Sequence, residues 1–357
     1  MKRKFILPTL LLFQWGIVSL IRFFPAWIET YYSQGLYPKI AYLLRIALGG
    51  LPFSVGDVLY TLLVLVLVHW FWKNRIGFWK HWKTHFWTVL SFLSVLYFCF
   101  HVLWGLNYYR LPLHEKWKLE KEYTYEELVQ FTRQLVVQTN ALQKQIQQDT
   151  TQAVRVVHSE ATLFNMAPKG YAVLASKHSE FYYESASIKA SLYSLPLSYM
   201  GFGGYLNPFT NEAQVNSLKP KYTAPLTICH EMAHQTGVAS ESECNFMGFL
   251  AASQHPDVYF RYSAYTFALN YCLFHLEEQK AGSSQPFKKW MNKGVLQNFK
   301  ESKTFWQHHQ TVIANFFEYF YDHFLKWNQQ KEGLESYSKF IGLLINYNKH
   351  TSVFYAH

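Results

Sequence analysis

Three stretches of this chain hold no Asp, Glu, Lys or Arg: Phe5 to Ile21, Val58 to Trp72 and Phe86 to Leu106. Each is apolar all round, so none offers the polar face that a helix on a water-soluble core presents to solvent. About 20 helical residues cross a hydrocarbon core, and thinning or snorkelling accommodates shorter runs. Three membrane spans are therefore expected. Lys2, Arg3 and Lys4 precede the first run, as in a signal peptide, but Arg22-Phe23-Phe24-Pro25 follows it without a small-residue cleavage site. Those flanks predict an uncleaved anchor. The second run ends in Trp70-Phe71-Trp72, as an interfacial aromatic belt does. Between the first two, Tyr32 to Ser54 contains Lys39, Arg45, Gly49-Gly50 and Pro52, and reads as a short interfacial helix with a turn.

Orientation follows from the basic residues of the flanks. Lys2, Arg3 and Lys4 lie before the first span and Lys73, Arg75, Lys80 and Lys83 between the second and third, whereas the first interspan loop offers chiefly Lys39 and Arg45. The N-terminus is expected in the cytoplasm, and three crossings carry everything after Leu106 outside. The expected organisation is a membrane domain over residues 1–106 in the cell (inner) membrane and an extracytoplasmic domain over 107–357. The net charge of +10 is not gathered into a basic tract, so the expected partner is the lipid bilayer and no nucleic acid is expected. Cys99, Cys229, Cys244 and Cys272 form no CxxC pair, which argues against a thiolate zinc ribbon or a disulfide framework.

The second part reads as mainly helical. Thr124 and Glu127 form a capping-box pattern ahead of a stripe of Leu128, Phe131, Leu135, Leu142 and Ile146. A helix entered through Pro168 is expected over Pro168 to Tyr183, and a strand over Ser187 to Tyr193. Gly201 to Asn216 reads as a glycine-rich approach, a strand, an Asn-Pro turn and a second strand. Gly and Pro demote such a strand to an edge, and a free edge can receive an extended peptide. Gly203, Gly204, Tyr205 and Asn207 are its expected substrate-facing residues. Helices are expected again over Glu241 to Ser253, Asp257 to Glu278 and Ser336 to Tyr347.

The segment that carries chemistry is Cys229-His230-Glu231-Met232-Ala233-His234-Gln235-Thr236-Gly237, followed by Ser240-Glu241-Ser242-Glu243-Cys244-Asn245. Residues four apart share a helix face, so His230 and His234 can reach one tetrahedral ion. Glu231, beside the first histidine, can take a proton from an activated water without itself binding the metal. Gly237 can end the helix in the left-handed conformation, and Ser240 with Glu243 has the pattern of a second capping box. The resulting turn brings Glu241 back toward the histidines as third ligand. Glu243 is the alternative ligand, and Asn245, one turn after Glu241, is a candidate hydrogen-bond partner for a ligand histidine. Cys229 and Cys244 are expected to point elsewhere as small buried residues. Two imidazoles and a carboxylate suit one Zn2+ per chain best.

HExxH followed by Glu-x-x-x-Asn resembles the gluzincin-type zinc metallopeptidases, with Glu241 and Asn245 at the matching positions. The His234-to-Glu241 spacing is short for that group. Over nearly its whole length the chain resembles an uncharacterised family of bacterial multi-pass membrane proteins, domain of unknown function 3810. The carriers are the three N-terminal spans, Pro52 to Asp57, Asn207 to Ala213 ahead of the HExxH, and Tyr321 to Lys326 with Ser336-Tyr337. The resemblance implies membrane attachment and a zincin site. The expected fold is thus mainly α, with three N-terminal transmembrane helices before an α+β zincin-like domain built on a small edge-strand sheet and an HExxH helix. The expected function is a membrane-anchored zinc metallopeptidase acting on a peptide or protein outside the cytoplasm, with Glu231 as general base. Tyr262, Tyr265, His275 and Tyr337 are candidate oxyanion donors. The alternative is a non-catalytic, metal-stabilised scaffold or receptor ectodomain. An intramembrane protease is disfavoured because Lys219, Lys221, Gln235 and Glu241 to Glu243 surround the motif.

Overall fold

The apolar runs fold as helices whose side chains remain largely uncovered by protein. The computed structural model of the chain describes residues 5–328, 337–351 and 353–354. Helix α1 is Ile6–Ile21 and packs along a later helix, α4. At Pro25 the chain turns by 99° into a continuous helical stretch to Gly49, a π-helical segment over Ile28–Leu36 running into α2 (Tyr37–Gly49). Helix α3 spans Val55–Asn74 and α4 spans Trp82–Leu103. Two helical stretches, Val55–Asn74 and Trp79–Leu103, are long and apolar enough to cross a membrane. The 16 residues of α1 fall short of the ~20 that a bilayer core takes, and qualify only together with the bent continuation. The segment expected as a short interfacial helix is thus longer than foreseen, and its Tyr37 and Arg45 are buried against the rest of the protein.

The remainder is mainly helical with one small sheet. Helix α5 (Tyr125–Gln147) begins with the anticipated capping box, Thr124 and Glu127 exchanging bonds of 2.8 and 3.2 Å. The helix entered at Pro168 stops at Ala175, short of Tyr183. Strands β1 (Ile188–Ala190), β2 (Gly204–Asn207) and β3 (Glu212–Val215) form a sheet of order β1-β3-β2. Ile188 pairs with Ala213 in parallel, and Gly204 pairs with Val215 antiparallel, which leaves β2 at an edge. Helices α6 (Ala224–Gln235), α7 (Glu241–Ser253) and α8 (Val258–Gln279) form the centre, with Phe246, Phe249, Phe260, Tyr262 and Tyr265 fully buried between them. Helix α9 (Val312–Trp327) and α10 (Tyr337–His350) complete the described chain.

The division expected at Leu106 is crossed by polar contacts. Glu212, on β3, accepts the backbone amides of Val55 and Gly56 at 3.1 and 2.6 Å, so a sheet carboxylate caps the positive end of the apolar helix α3. Asp57 accepts the Leu192 amide at 2.7 Å and the Ser191 hydroxyl at 3.0 Å, and also bonds the Tyr205 phenol. Lys189 holds the carbonyls of Gly49 and Leu51 in the turn before α3. Pro52 to Asp57 and Asn207 to Ala213, far apart in sequence, are therefore two sides of one junction. The start of α3 and the end of α4 both lie against the second part of the chain.

Candidate metal centre

Helix α6 presents His230 and His234 on one face with ring centroids 4.9 Å apart. Gly237 adopts φ +88°, the left-handed conformation that ends a helix and that a side chain would strain. The chain reverses and α7 returns alongside α6. Gly248 permits that approach, since a Cβ there would lie 2.9 Å from the His230 backbone nitrogen. Glu241 in the first turn of α7 thereby reaches both imidazoles, Oε2 at 3.2 Å from His230 Nε2 and Oε1 at 3.6 Å from His234 Nε2. Despite burial, the two histidines hold the Glu241 carboxyl well below the usual carboxylate range.

His234 is fixed from behind. Its Nδ1 lies 2.9 Å from the Val238 carbonyl, which accepts the N–H there and turns Nε2 toward Glu241. The carbonyls at the C-terminal end of α6 would otherwise lack partners, and donors from the N-terminal third reach them. Trp104 Nε1 donates to the His234 carbonyl at 3.2 Å, Tyr37 and Arg45 to that of Gln235 at 3.0 and 3.4 Å, and Arg110 to that of Gly237 at 2.8 Å. The Gln235 amide donates to the carbonyls of Ser187 and Asn211 and accepts the Tyr183 phenol, tying α6 to the sheet.

Glu231 has a different environment. One of its carboxylate oxygens and a ring nitrogen of each histidine all lie within 4.8 Å of one another, yet its Oε2 is buried with no hydrogen-bond partner among the described residues. Burial pushes its carboxyl above the ordinary range, against the pull of His230 and His234 and, more weakly, Lys219. Burial in turn brings the Lys219 ammonium down to about 8. Edge strand β2 runs against this side of α6, and a Cβ on Gly204 would lie 2.7 Å from Glu231 Oε1. Of the other expected edge residues, Gly203 backs onto Lys219, Tyr205 turns its phenol to Asp57, and Asn207 is buried beside Gly56.

Several expectations are corrected here. Ser240 makes no side-chain cap to α7; its hydroxyl meets that of Ser242. Glu243 accepts the Leu113 amide at 2.7 Å and faces a cavity of about 500 Å3 lined also by Arg110, Lys116 and Arg45, away from the histidines. The reason is competition: the backbone amide of another segment takes the carboxylate that the local pattern assigns to a cap. Asn245 has no hydrogen bond to either histidine among the described residues; the Val238 carbonyl meets His234 Nδ1. Cys244 does not point away, since its Sγ lies 3.2 Å from His234 Nδ1 on the side remote from Glu241, with its thiol pushed up to about 12 by burial. The phenols of Tyr262 and Tyr265 are committed to Asn298 and the Val353 carbonyl, and His275 pairs with Glu278. Tyr337 opens α10, and its side chain lies outside the described residues.

One participant was not read as a site residue. The Tyr321 hydroxyl, on α9, donates to Glu241 Oε1 at 2.7 Å, and its ring meets Phe202 edge-on. Burial and the Glu241 charge keep this phenol well above its ordinary range, so it stays a donor. With 26 tyrosines in the chain, spacing alone cannot single it out.

No curated protein and no solved structure matches this chain. The family described as Protein of unknown function (DUF3810) matches residues 32–345, which spans the buried α2, the HExxH helix, Glu241 and Tyr321 alike, and the chain belongs to that family.

Proposed function

We propose that the protein is a membrane-anchored zinc metallopeptidase of gluzincin-like character, with α1 completing three spans and the site facing outside the cytoplasm. The observation that carries this reading is Glu241 bridging the Nε2 atoms of His230 and His234 beside a buried Glu231 oxygen without a partner. His230, His234 and Glu241 would hold one zinc ion, a donor set of the kind catalytic zinc sites use. Zinc bound there would supply Lewis acidity and a water of lowered pKa. Glu231 would serve as the base that takes a proton from an attacking water and passes it to the departing amine nitrogen. Its raised pKa suits both halves of the task. The extended edge of β2 aligns the substrate backbone, and Tyr321 orients Glu241 and stands ready to donate to the developing oxyanion.

A purely structural metal site gives no role to a buried, unpartnered carboxylate next to the ligands, which favours the enzyme over the scaffold. Elemental analysis of the purified full chain, paired with hydrolysis of a broad peptide library, tests the reading. Wild type is expected to carry about one zinc and cleave; His234→Ala loses both, whereas Glu231→Gln keeps zinc and loses cleavage. Absence of zinc from zinc-supplied wild type, or equal inertness of metal-loaded wild type and Glu231→Gln, would sink it.

A further inference from the structure

Helix α9 divides into three faces. Phe317, Tyr321, Phe324 and Leu325 turn inward, where Leu325 is 1% exposed in a cluster with Ile28, Trp104 and Tyr108 and the Tyr108 ring meets Phe324. Asn315, Glu318, Asp322 and Lys326 form one polar flank, with Lys326 and Asp322 paired at 2.7 Å. The third face carries Val312, Ile313, Phe316, Tyr319, Phe320 and Trp327, from 56 to 85% exposed. Isolated apolar side chains at a surface need no explanation, but six on one helical stripe do.

The position of that stripe identifies what covers it. Trp104 and Tyr108, which pack on the inner face of α9, immediately follow the apolar helix α4. On its other side α9 packs on the short helix Ser194–Met200. Just before that helix, Tyr193 bonds the Asp57 carbonyl and the Thr61 hydroxyl in the first turns of α3. Leu192 and Leu195 beside it are 60% and 53% exposed. The exposed apolar side chains of α9 and of Leu192 and Leu195 therefore lie on elements that touch the start of one membrane-crossing candidate and the residues just after the other.

We infer that α9 lies in the bilayer interface, its apolar stripe seated among lipid headgroups and acyl ends, and that this seat holds Tyr321 against Glu241 in the site. Stripe, polar flank and aromatic terminus are those of an interfacial amphipathic helix. The helix turns as one rigid rod, so a lipid-docked Phe320 on the outer face fixes the direction in which Tyr321 leaves the inner face. The docking stands apart from the zinc reading. Its consequence, that the site opens at the membrane surface and favours substrates presented there, rests on it.

The test uses the full chain, with Cys99 replaced by Ser, in phosphatidylcholine/phosphatidylglycerol nanodiscs. An environment-sensitive fluorophore is attached in turn through Phe316→Cys, Phe320→Cys and, on the polar flank, Glu318→Cys. Lipid bearing a nitroxide near the headgroup end of its acyl chain is expected to remove most of the emission from positions 316 and 320 and little from 318. Equal quenching at all three, or none at any, overturns the docking. Cross-linking of position 316 to the same position in a second copy, in place of lipid quenching, assigns the face to a dimer and overturns it as well. In a second arm, Phe316→Glu with Phe320→Glu is expected to lower hydrolysis and zinc affinity as far as Tyr321→Phe does and no further; wild-type values for both would overturn the link from the docked face to Tyr321. Quenching at 316 and 320 in a chain that binds no zinc would sustain the docking and remove the peptidase.

Discussion

At the C-terminal end of α6 the carbonyls of His234 and Gln235, the His234 Nδ1 and the Gln235 amide meet protein partners, from Trp104, Tyr37, Arg45, Val238 and the sheet. One turn earlier Glu231 keeps a buried oxygen with none among the described residues. The first arrangement is that of a part held still, each bond contributing about 1 kcal/mol and together fixing one tautomer and one ring orientation. The second is that of a part awaiting something. Ligand geometry and reactivity are thus divided between His234 and Glu231, neighbours three residues apart on a single helix.

Substitutions in each group should separate the two. Glu231→Gln is expected to lower kcat by roughly 10²- to 10⁴-fold with melting temperature and zinc content unchanged; a large fall in melting temperature would show that the carboxylate holds the fold instead. Next in size, Tyr321→Phe removes a hydrogen bond to a ligand carboxylate, and about a 10- to 100-fold loss in zinc affinity or activity is expected. Zinc titration of wild type and variant side by side checks it.

The held end of α6, where Arg110 donates to the Gly237 carbonyl, has its own pH signature. Burial raises the Glu29 carboxyl, but bonds and charge from Arg110 and Lys116, at 2.8 Å each, bring it down to about 2. A depressed carboxylate stabilises the fold above its unfolded value of about 4.5, and the contribution disappears as pH falls through the folded value. Glu29→Gln should therefore cost roughly 2–3 kcal/mol at neutral pH. That gap should close between about pH 4.5 and pH 2, which denaturant unfolding across the range would measure. The smallest effect is expected at Glu243→Gln, whose carbonyl can still accept the Leu113 amide: within about 1 kcal/mol in stability and no change in zinc. Loss of zinc there would return Glu243 to the ligand set.

What was legible in the sequence is local. His230, Glu231, His234, Gly237 and Glu241 lie within twelve residues, where helix period and turn chemistry determine geometry. The same local reasoning failed at Glu243, because the competing Leu113 amide comes from a segment 130 residues earlier. Tyr321 lies 80 residues beyond Glu241, and nothing in a periodic pattern gives that distance. The two motifs around Asp57 and Glu212 were visible as motifs, yet their meeting at the head of α3 depends on folding. The apolar runs predicted helices well and their lengths less well, since Pro25 and the bend that follows divert the first one sideways.

The bonds from Trp104, Tyr37 and Arg45 to the end of α6 bear on modularity. A catalytic unit that could be recombined onto a different anchor would meet that anchor through a linker. Here the residue directly after a membrane-crossing candidate grips the carbonyl of His234 itself. Grafting residues 107–357 onto a foreign transmembrane helix would strip α6 of these partners, so the membrane-crossing candidates and the candidate metal centre form one inheritable piece.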